Sequence, residues 1–421
     1  MTSVAPLFTV ARIERTTVPP SDMPSEVLHY SIPALEGSGH PILEQSASIA
    51  SNKLRLRGGE VLVSRLNPRK ARVVVVPEHH EHFCVASKEF VASRPGPLLE
   101  TRFLAYFLAS SRVASLLDAQ VRSVTRSHQR VEPEAIANLA VPLPPLELQG
   151  RIADFLDDQV ARMDGVIAAR ERMAGLVAER AASEAQSLVL ARVDTQPIRT
   201  DAGPVLPTPP GWIARKNKTF MREVVDLSQS GAEEMLTVSH LTGVTPRSEK
   251  TVYMFEAETN VGYKRVQPGD LVINTLWAWM GALGVARKPG IVSPAYGVYR
   301  FTEPSAEPRY FDALFRSNAY VTEMTRYSKG VWSSRLRLYP DSFLALTSPF
   351  PPYDEQLRIA DAVEASAEAV ARRVAPMRRS IDLLGERKRS LITAAVTGEF
   401  DVSSASSRAT NVALSGVGGV G

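Results

Sequence analysis

Pro142-Leu143-Pro144-Pro145-Leu146-Glu147-Leu148-Gln149-Gly150-Arg151-Ile152-Ala153-Asp154 returns 207 residues later as Pro349-Phe350-Pro351-Pro352-Tyr353-Asp354-Glu355-Gln356-Leu357-Arg358-Ile359-Ala360-Asp361. The same offset pairs Arg102-Phe103 with Arg309-Tyr310 and Ser110 with Ser317, so the correspondence runs upstream for tens of residues, beyond what chance supplies. Farther back the offset drifts by a few residues, and Gly59-Glu60-Val61-Leu62-Val63 faces Gly269-Asp270-Leu271-Val272-Ile273, as expected where loops differ in length. A period close to half of a 421-residue chain means two whole domains rather than a solenoid, whose repeats are several-fold shorter.

Each Pro-Pro marks a change of texture. Residues 1–145 and 212–352 are rich in Pro, Gly, Ser, Thr, aromatic and β-branched residues, with short apolar runs such as Val73-Val74-Val75-Val76 and Gly290-Ile291-Val292 bounded by turn residues. They read as mixed domains built around short strands, each with one helical run, over 102–117 and 308–325. Beyond the prolines, which a helix tolerates at its start, residues 146–192 and 353–400 hold almost no breakers and read as long helices. In the first, Ile152, Leu156, Met163, Ile167, Met173 and Val177 make a stripe. In the second, Val370, Val374, Met377, Ile381, Leu384 and Leu391 follow the 3.5-residue period of a coiled-coil seam.

The duplication aligns the seams, setting Met163, Ile167, Ala174 and Val177 against Val370, Val374, Ile381 and Leu384. The expected helix–helix interface is Ile152, Leu156, Met163, Ile167 and Val177 with Ile359, Val370, Val374, Ile381 and Leu384. Pro376 is expected to kink or break the second helix, and Gly165 and Gly175 to soften the first. A helix of about 40 residues is about 60 Å long, more than a compact domain is wide, and so suits a strut holding two domains apart. The competing arrangement is an ordinary helix pair buried in one globule. Residues 193–211, with five prolines in 195–211, read as a linker, and 401–421 as a disordered tail.

Hydrophobic residues at 44% and charged residues at 22% are the balance of a soluble globular protein. No apolar run approaches a membrane span, and residues 1–10 lack the basic-then-apolar pattern of a secretory signal, so a cytoplasmic location and no membrane partner are expected. The single cysteine, Cys84, excludes an internal disulfide and a cysteine-built zinc site. A net charge of +4 favours a polyanionic partner only weakly, so local placement of charge must decide.

Motifs that resemble chemistry fail on context. Gly416-Val417-Gly418-Gly419-Val420-Gly421 fits the dinucleotide fingerprint by letter, but no helix follows it in the sequence to supply the phosphate site. Phe350-Pro351-Pro352-Tyr353 resembles the Pro-Pro-aromatic signature of adenine methyltransferases. Here a Phe, and in the first copy Leu143, stands where a polar acceptor for the adenine amine is needed. His79, His80, His82 and Cys84 match no closed tetrahedral spacing, and the second copy has no equivalent. There is no phosphate loop and no nucleophile elbow. Neither a catalytic residue, a cofactor nor a metal is expected.

Two segments carry side chains suited to DNA. Arg122, His128 and Arg130 match Lys329, Arg335 and Arg337 across the repeat; in the second copy the segment also holds Trp332. Cations there can neutralise phosphates, and an exposed Trp can stack or pack on sugars; the plainer reading is a solvated loop with one semi-buried Trp. The segment after the first strand shared by the copies diverges most: Ser64-Arg65-Leu66-Asn67-Pro68-Arg69-Lys70 against Asn274-Thr275-Leu276-Trp277-Ala278-Trp279-Met280. A shared framework with a divergent loop is what reading different bases requires. That makes Arg65, Asn67, Arg69, Lys70, Asn274 and Trp277 candidates, since Arg and Asn pair bidentately with guanine and adenine edges. For one of Trp277 and Trp279 a place in the core is at least as good a reading.

Two mixed domains, each followed by Pro-Pro-x-x-x-Gln-x-x-Ile and a long helix, the second closing on Arg389-Ser390-Leu391-Ile392-Thr393-Ala394-Ala395-Val396-Thr397-Gly398, resemble the specificity subunit of type I restriction-modification systems. Gly269-Asp270-Leu271-Val272, Val292-Ser293-Pro294-Ala295-Tyr296 and Pro207-Thr208-Pro209-Pro210-Gly211-Trp212 look like that family's landmarks, weakened in the first copy to Ala86-Ser87-Lys88-Glu89-Phe90. The resemblance implies an α+β fold with two homologous target recognition domains, related by a pseudo-twofold and separated by two long antiparallel coiled-coil helices. It further implies that each domain reads half of a bipartite site in double-stranded DNA. The helices would bind two DNA methyltransferase (modification) subunits, to which restriction/translocase subunits add. The chain itself would be non-catalytic. The alternatives are a stand-alone DNA-binding regulator without modification partners, and an enzyme with an unrecognised site.

Overall fold

The computed structural model describes residues 3–79, 81–121, 129–190, 198–200, 203–206, 208–249, 259–330 and 336–402. The chain divides into two compact units, Met1–Glu171 with Arg378–Gly421, and Arg172–Met377.

In the first unit the strand Val61–Ser64 is buried at every position. Its period-two pattern sends Val61 and Val63 into one hydrophobic core and Leu62 into another, so it must be covered on both faces. It pairs antiparallel with Phe90–Pro95 and Val73–Val75, and Ala11–Glu14 adds to the far side of Phe90–Pro95. Thr101–Ala109 packs Phe103, Leu104 and Phe107 into the first of these cores. The other core is shared with a five-stranded sheet in the order Thr17–Val18, Lys53–Arg55, Cys84–Ala86, Glu26–Tyr30, Ile42–Gln45. Within that sheet Glu26–Tyr30 and Cys84–Ala86 run parallel.

The second unit repeats the plan. Leu271–Ile273 sends Leu271 and Ile273 to one core and Val272 to another, and sits in the sheet Met221–Glu223, Gly297–Phe301, Leu271–Ile273, Leu283–Val285. Where the first unit has five strands, two ladders stand instead among the described residues: Leu236–Ser239 with Gly243–Pro246, and Lys264–Val266 with Gly290–Val292. Also in the second unit, Ile198–Thr200 pairs antiparallel with Gly203–Val205.

Duplicated letters at the start of the central strand are a duplicated device. Glu60, fully buried, accepts from the N–H groups of Arg57 (2.9 Å) and Gly58 (2.8 Å) and from Arg94 Nη2 (2.7 Å). Asp270 accepts from the Gln267 N–H (2.9 Å) and takes Arg300 Nε and Nη2 at 2.8 Å each. A buried carboxylate is tolerated because it is paired and hydrogen-bonded, and it fixes where the strand begins.

Each helical run expected to be single is split. Thr101–Ala109 stops and Ser111–Asp118 starts at Ser110, whose extended backbone breaks the helix while its hydroxyl accepts from the Val113 N–H (3.3 Å). Ser317 does the same between Pro308–Phe315 and Asn318–Tyr327, accepting from the Tyr320 N–H (3.3 Å).

The long helices are Leu146–Val189 and Tyr353–Thr397. Their starts are tied down by the motif glutamines. Gln149, fully buried, donates Nε2 to the carbonyls of Leu98 (3.0 Å) and Pro144 (2.8 Å), and its Oε1 accepts from the Glu100 N–H (2.9 Å). Gln356 repeats this with Ser305 (3.0 Å), Pro351 (2.8 Å) and the Glu307 N–H (2.8 Å). Beside them Arg102 bridges Glu100, Asp154 and Asp157, as Arg309 bridges Glu307, Asp361 and Glu364.

In the first unit Ile152 and Leu156 of one long helix share a core with Ile392, Ala395 and Val396 of the other, and Lys388 Nζ donates to Asp164 (2.6 Å). In the second, Val189 shares a core with Ile359 and Ala360. Start meets end in both units, so the helices run antiparallel. The architecture is the expected α+β one, with two similarly built mixed units and an antiparallel pair of long helices. Ile152, Leu156, Met163, Ile359 and Val374 are buried, and Ile167, Val177, Val370, Ile381 and Leu384 half-buried. Two sequence readings are revised in part. Met173 is 55% exposed, and its neighbour Ala174 takes the inward position that the aligned seams require. Pro376 does not break the second helix, which runs through it with the ring exposed. Among the described residues no helix is long and apolar enough to cross a membrane.

Replacing Gln149 or Gln356 by Ala leaves an N–H and two carbonyls without their buried partner and should destabilise the variant by about 3 kcal/mol, read from urea unfolding. Ala71, at φ 44°, holds the left-handed conformation that Gly281, at φ 77°, holds at the matching turn. Ala71→Gly should therefore stabilise the first unit by about 1 kcal/mol in the same assay, and a loss of stability would refute the strain.

Candidate nucleic-acid interface

The turn that follows the central strand is built alike in both units. In the first, the 3-10 turn Pro68–Lys70 lies between Asn67 and Ala71, both with left-handed backbones. In the second, Ala278–Met280 lies between Trp277 and the left-handed Gly281. Each turn is joined by backbone hydrogen bonds to the other candidate segment. The Val131 N–H donates to the Arg65 carbonyl (3.2 Å), and the Asn67 N–H to the Gln129 carbonyl (2.8 Å). In the second unit the Leu338 N–H donates to the Thr275 carbonyl (2.9 Å). Val131 and Leu338 are the same position of the repeat. Segments about 65 residues apart in sequence thus form one ridge in each unit.

The side chains on the two ridges differ in kind. On the first, Arg65 Nε donates to the Val131 carbonyl (3.0 Å), and its guanidinium lies 3.6 Å from Glu132. Lys70 Nζ (3.0 Å) and Arg72 Nε (3.0 Å) both donate to Glu36, whose carboxyl is held below the usual range by Arg72 first and Lys70 second. Arg130 grips both oxygens of Glu89, Nε at 3.0 and 3.1 Å and Nη2 at 2.9 Å. Arg69 is exposed. The surface is ionic, and carboxylates hold most of its cations.

On the second ridge Trp277 is 51% exposed and stacks on Trp279, ring centroids 6.4 Å apart and planes 18° from parallel. Trp279 Nε1 donates to the Leu276 carbonyl (3.0 Å). Neither indole is core. Asn274 Nδ2 donates to the Tyr296 hydroxyl (3.3 Å). Lys329 pairs backbone to backbone with Arg337, both bonds 2.9 Å, and the Arg337 guanidinium lies 5.4 Å from the Tyr339 ring centre. Tyr327 and Tyr339 add exposed rings. This surface offers apolar faces and a few donors.

Arg122, His128, Trp332 and Arg335 lie outside the described residues. So does His80; of the remaining metal-like cluster, His79 and His82 are exposed. Cys84 is fully buried on a strand, its thiol pushed up to about 11 by burial, so it supplies no thiolate at neutral pH. Among the described residues no group of His, Cys, Asp and Glu could hold a metal ion. Sequence reasoning missed Glu36 and Glu89 as partners of the first ridge: Glu36 lies in no segment that pattern marks, and Glu89 lies in the weakened landmark 86–90, which gives no sign of its distant partner.

Residues 30–165 match the model of the Type I restriction modification DNA specificity domain. No curated protein matches the chain. Among solved structures, one from a study of complex assembly and conformational transition of the type I R-M system superposes with a TM-score of 0.60 at 18% identity, covering 93% of this chain and 97% of that one. The HsdS subunit from Thermoanaerobacter tengcongensis (18% identity, 94% and 97% covered, TM-score 0.41) and the S subunit of the type I system of M. genitalium (10%, 94% and 96%, TM-score 0.36) also match. Residues 30–165 are thus similar to the DNA specificity domain of type I restriction-modification systems, and the resemblance to their specificity subunits drawn from the duplicated motifs is borne out.

Proposed function

We propose that the chain is the non-catalytic specificity subunit of a type I restriction-modification system and reads a bipartite site in double-stranded DNA. The observation that carries this reading is the paired ridge. Twice in one chain, a divergent turn that follows the same strand of a similarly ordered four-stranded sheet is bonded to a distant basic segment. Residues 1–145 and 212–352 would each read one half-site. Arg65, Asn67, Arg69, Lys70, Arg122, His128 and Arg130 would serve the first, and Asn274, Trp277, Lys329, Trp332, Arg335 and Arg337 the second. Helices over 146–192 and 353–400 would set the gap, with 193–211 as linker and 401–421 as tail; 403–421 lie outside the described residues. Two readers on a strut address half-sites about one helical turn, about 34 Å, apart. Two methyltransferase subunits would modify adenine where the chain places them, and restriction/translocase subunits would join that complex.

Inserting four residues after Ala174 should lengthen the unspecified gap in the methylated sites, mapped across the genome of cells carrying the complete system, while both half-sites stay as they were. Altered half-sites would refute the ruler. Co-purification with a methyltransferase subunit is expected, whereas tight site-specific binding by the chain alone with no such partner would make it a regulator. Isolated chain given DNA and S-adenosylmethionine should leave the DNA unmodified. Arg335→Ala with Arg337→Ala should weaken DNA binding and flatten the plot of log affinity against log salt by about two, one for each cation withdrawn from phosphate. An unchanged slope would remove that segment from the interface.

A further inference from the structure

Arg130 and Arg337 occupy the same position of the repeat but are held differently. Arg130 is gripped by both oxygens of Glu89, which is itself bonded through its carbonyl to the Arg65 N–H (2.7 Å) at the base of the divergent turn. The residue that plays Glu89's backbone role in the second unit is Ala295, whose carbonyl accepts from Thr275 Oγ1 (2.9 Å). Ala295 is exposed and carries no charge, and among the described residues Arg337 has no carboxylate partner, only the Tyr339 ring. The same contrast recurs nearby: Lys70 and Arg72 are held by Glu36, and Arg65 faces Glu132, where the second unit has Tyr339.

We infer that Glu89 is a specificity-determining residue, a clamp that keeps Arg130 from bare phosphate so that the first unit rejects non-cognate DNA, while unclamped Arg337 lets the second unit take hold of any duplex. The inference rests on the DNA-reading function proposed above. Its physics is a competition. A phosphate can draw Arg130 away only by leaving Glu89 unpaired beside a polyanion, a like-charge contact that opposes binding. A cognate site avoids the penalty by offering partners to both ends of the pair: a guanine edge or phosphate for the guanidinium, and a base amine such as cytosine N4 for the carboxylate. Three hydrogen bonds of 2.9–3.1 Å make this geometry bidentate, so the clamp also fixes the direction in which Arg130 points.

The test uses the full-length chain and a labelled random-sequence duplex, with anisotropy titrations over a range of salt concentrations. Glu89→Gln should bind the duplex more tightly by about threefold to tenfold, with a salt slope steeper by about one, because one more cation reaches phosphate. Ala295→Glu, which installs a clamp facing Arg337, should bind more weakly with a slope shallower by about one. Circular dichroism checks that each variant folds. Should Glu89→Gln fail that check, Ala295→Glu decides alone, and unchanged affinity there overturns the clamp. A folded Glu89→Gln that binds no more tightly than wild type overturns it as well. Arg337→Ala separates the two levels. If it weakens duplex binding while the clamp variants do nothing, the clamp fails and DNA reading stands. If it changes nothing and binding ignores salt, DNA reading fails with it.

Discussion

A glutamine amide four residues beyond each Pro-Pro decides how each unit meets its long helix. Gln149 and Gln356 direct all three of their hydrogen bonds to backbone that has no other buried partner: the carbonyl of the first proline of the pair, a carbonyl in the loop before the next helix, and the N–H that opens that helix. One planar group therefore fixes the direction of the long helix and the start of Thr101–Ala109 or Pro308–Phe315 together. The arginine bridges beside it, Arg102 and Arg309, are half-exposed and add less, since solvent screens them. Their contribution is to hold the third and fourth turns of the long helix against the helix that the glutamine has just placed.

From that anchor the rest of each unit follows. The helix placed by the glutamine covers one face of a central strand whose odd and even residues belong to different cores, so the strand cannot slip by one residue without burying the wrong face. A buried carboxylate, Glu60 or Asp270, fixes where that strand begins. The turn after the strand is thus held at its root by packing and at its side by backbone bonds to the distant basic segment. Neither constraint involves the turn's own side chains, and this is why the two copies can carry arginines in one case and stacked tryptophans in the other on the same frame.

Much of this is legible in the sequence, because it is written twice. The repeat exposes the Pro-Pro-x-x-x-Gln device, the 3.5-residue seam and the two segments that form the ridge. Ser110 and Ser317 are visible as a matched pair, yet their role as helix caps is not, because the apolar spacing continues across the break. Met173 fits the helical stripe by letter, but over two further turns the stripe drifts onto Ala174, which the alignment with Ile381 already indicates. Pro376 shows a missing N–H in the sequence, and only the structure shows the helix running on past it. The five-stranded sheet, with its one parallel pair, depends on contacts between residues tens of positions apart, and among the described residues the second copy has two separate ladders in its stead. Glu36 and Glu89 lie 34 and 41 positions from Lys70 and Arg130, and nothing in the letters around either one points to so distant a partner.

The modest charge of the chain takes on meaning once those carboxylates are placed. A net charge of +4 is small for the DNA-binding role proposed above, and on the first ridge Lys70, Arg72 and Arg130 are matched locally by Glu36 and Glu89. A surface neutralised at this range projects little field beyond a Debye length, so on the proposed function it would not gather DNA from a distance. Its cations act only at contact, where hydrogen-bond geometry rather than charge decides whether the internal partner is given up. On that proposal selectivity would come with lower affinity, and the two unequal ridges would divide the labour, one holding and the other discriminating.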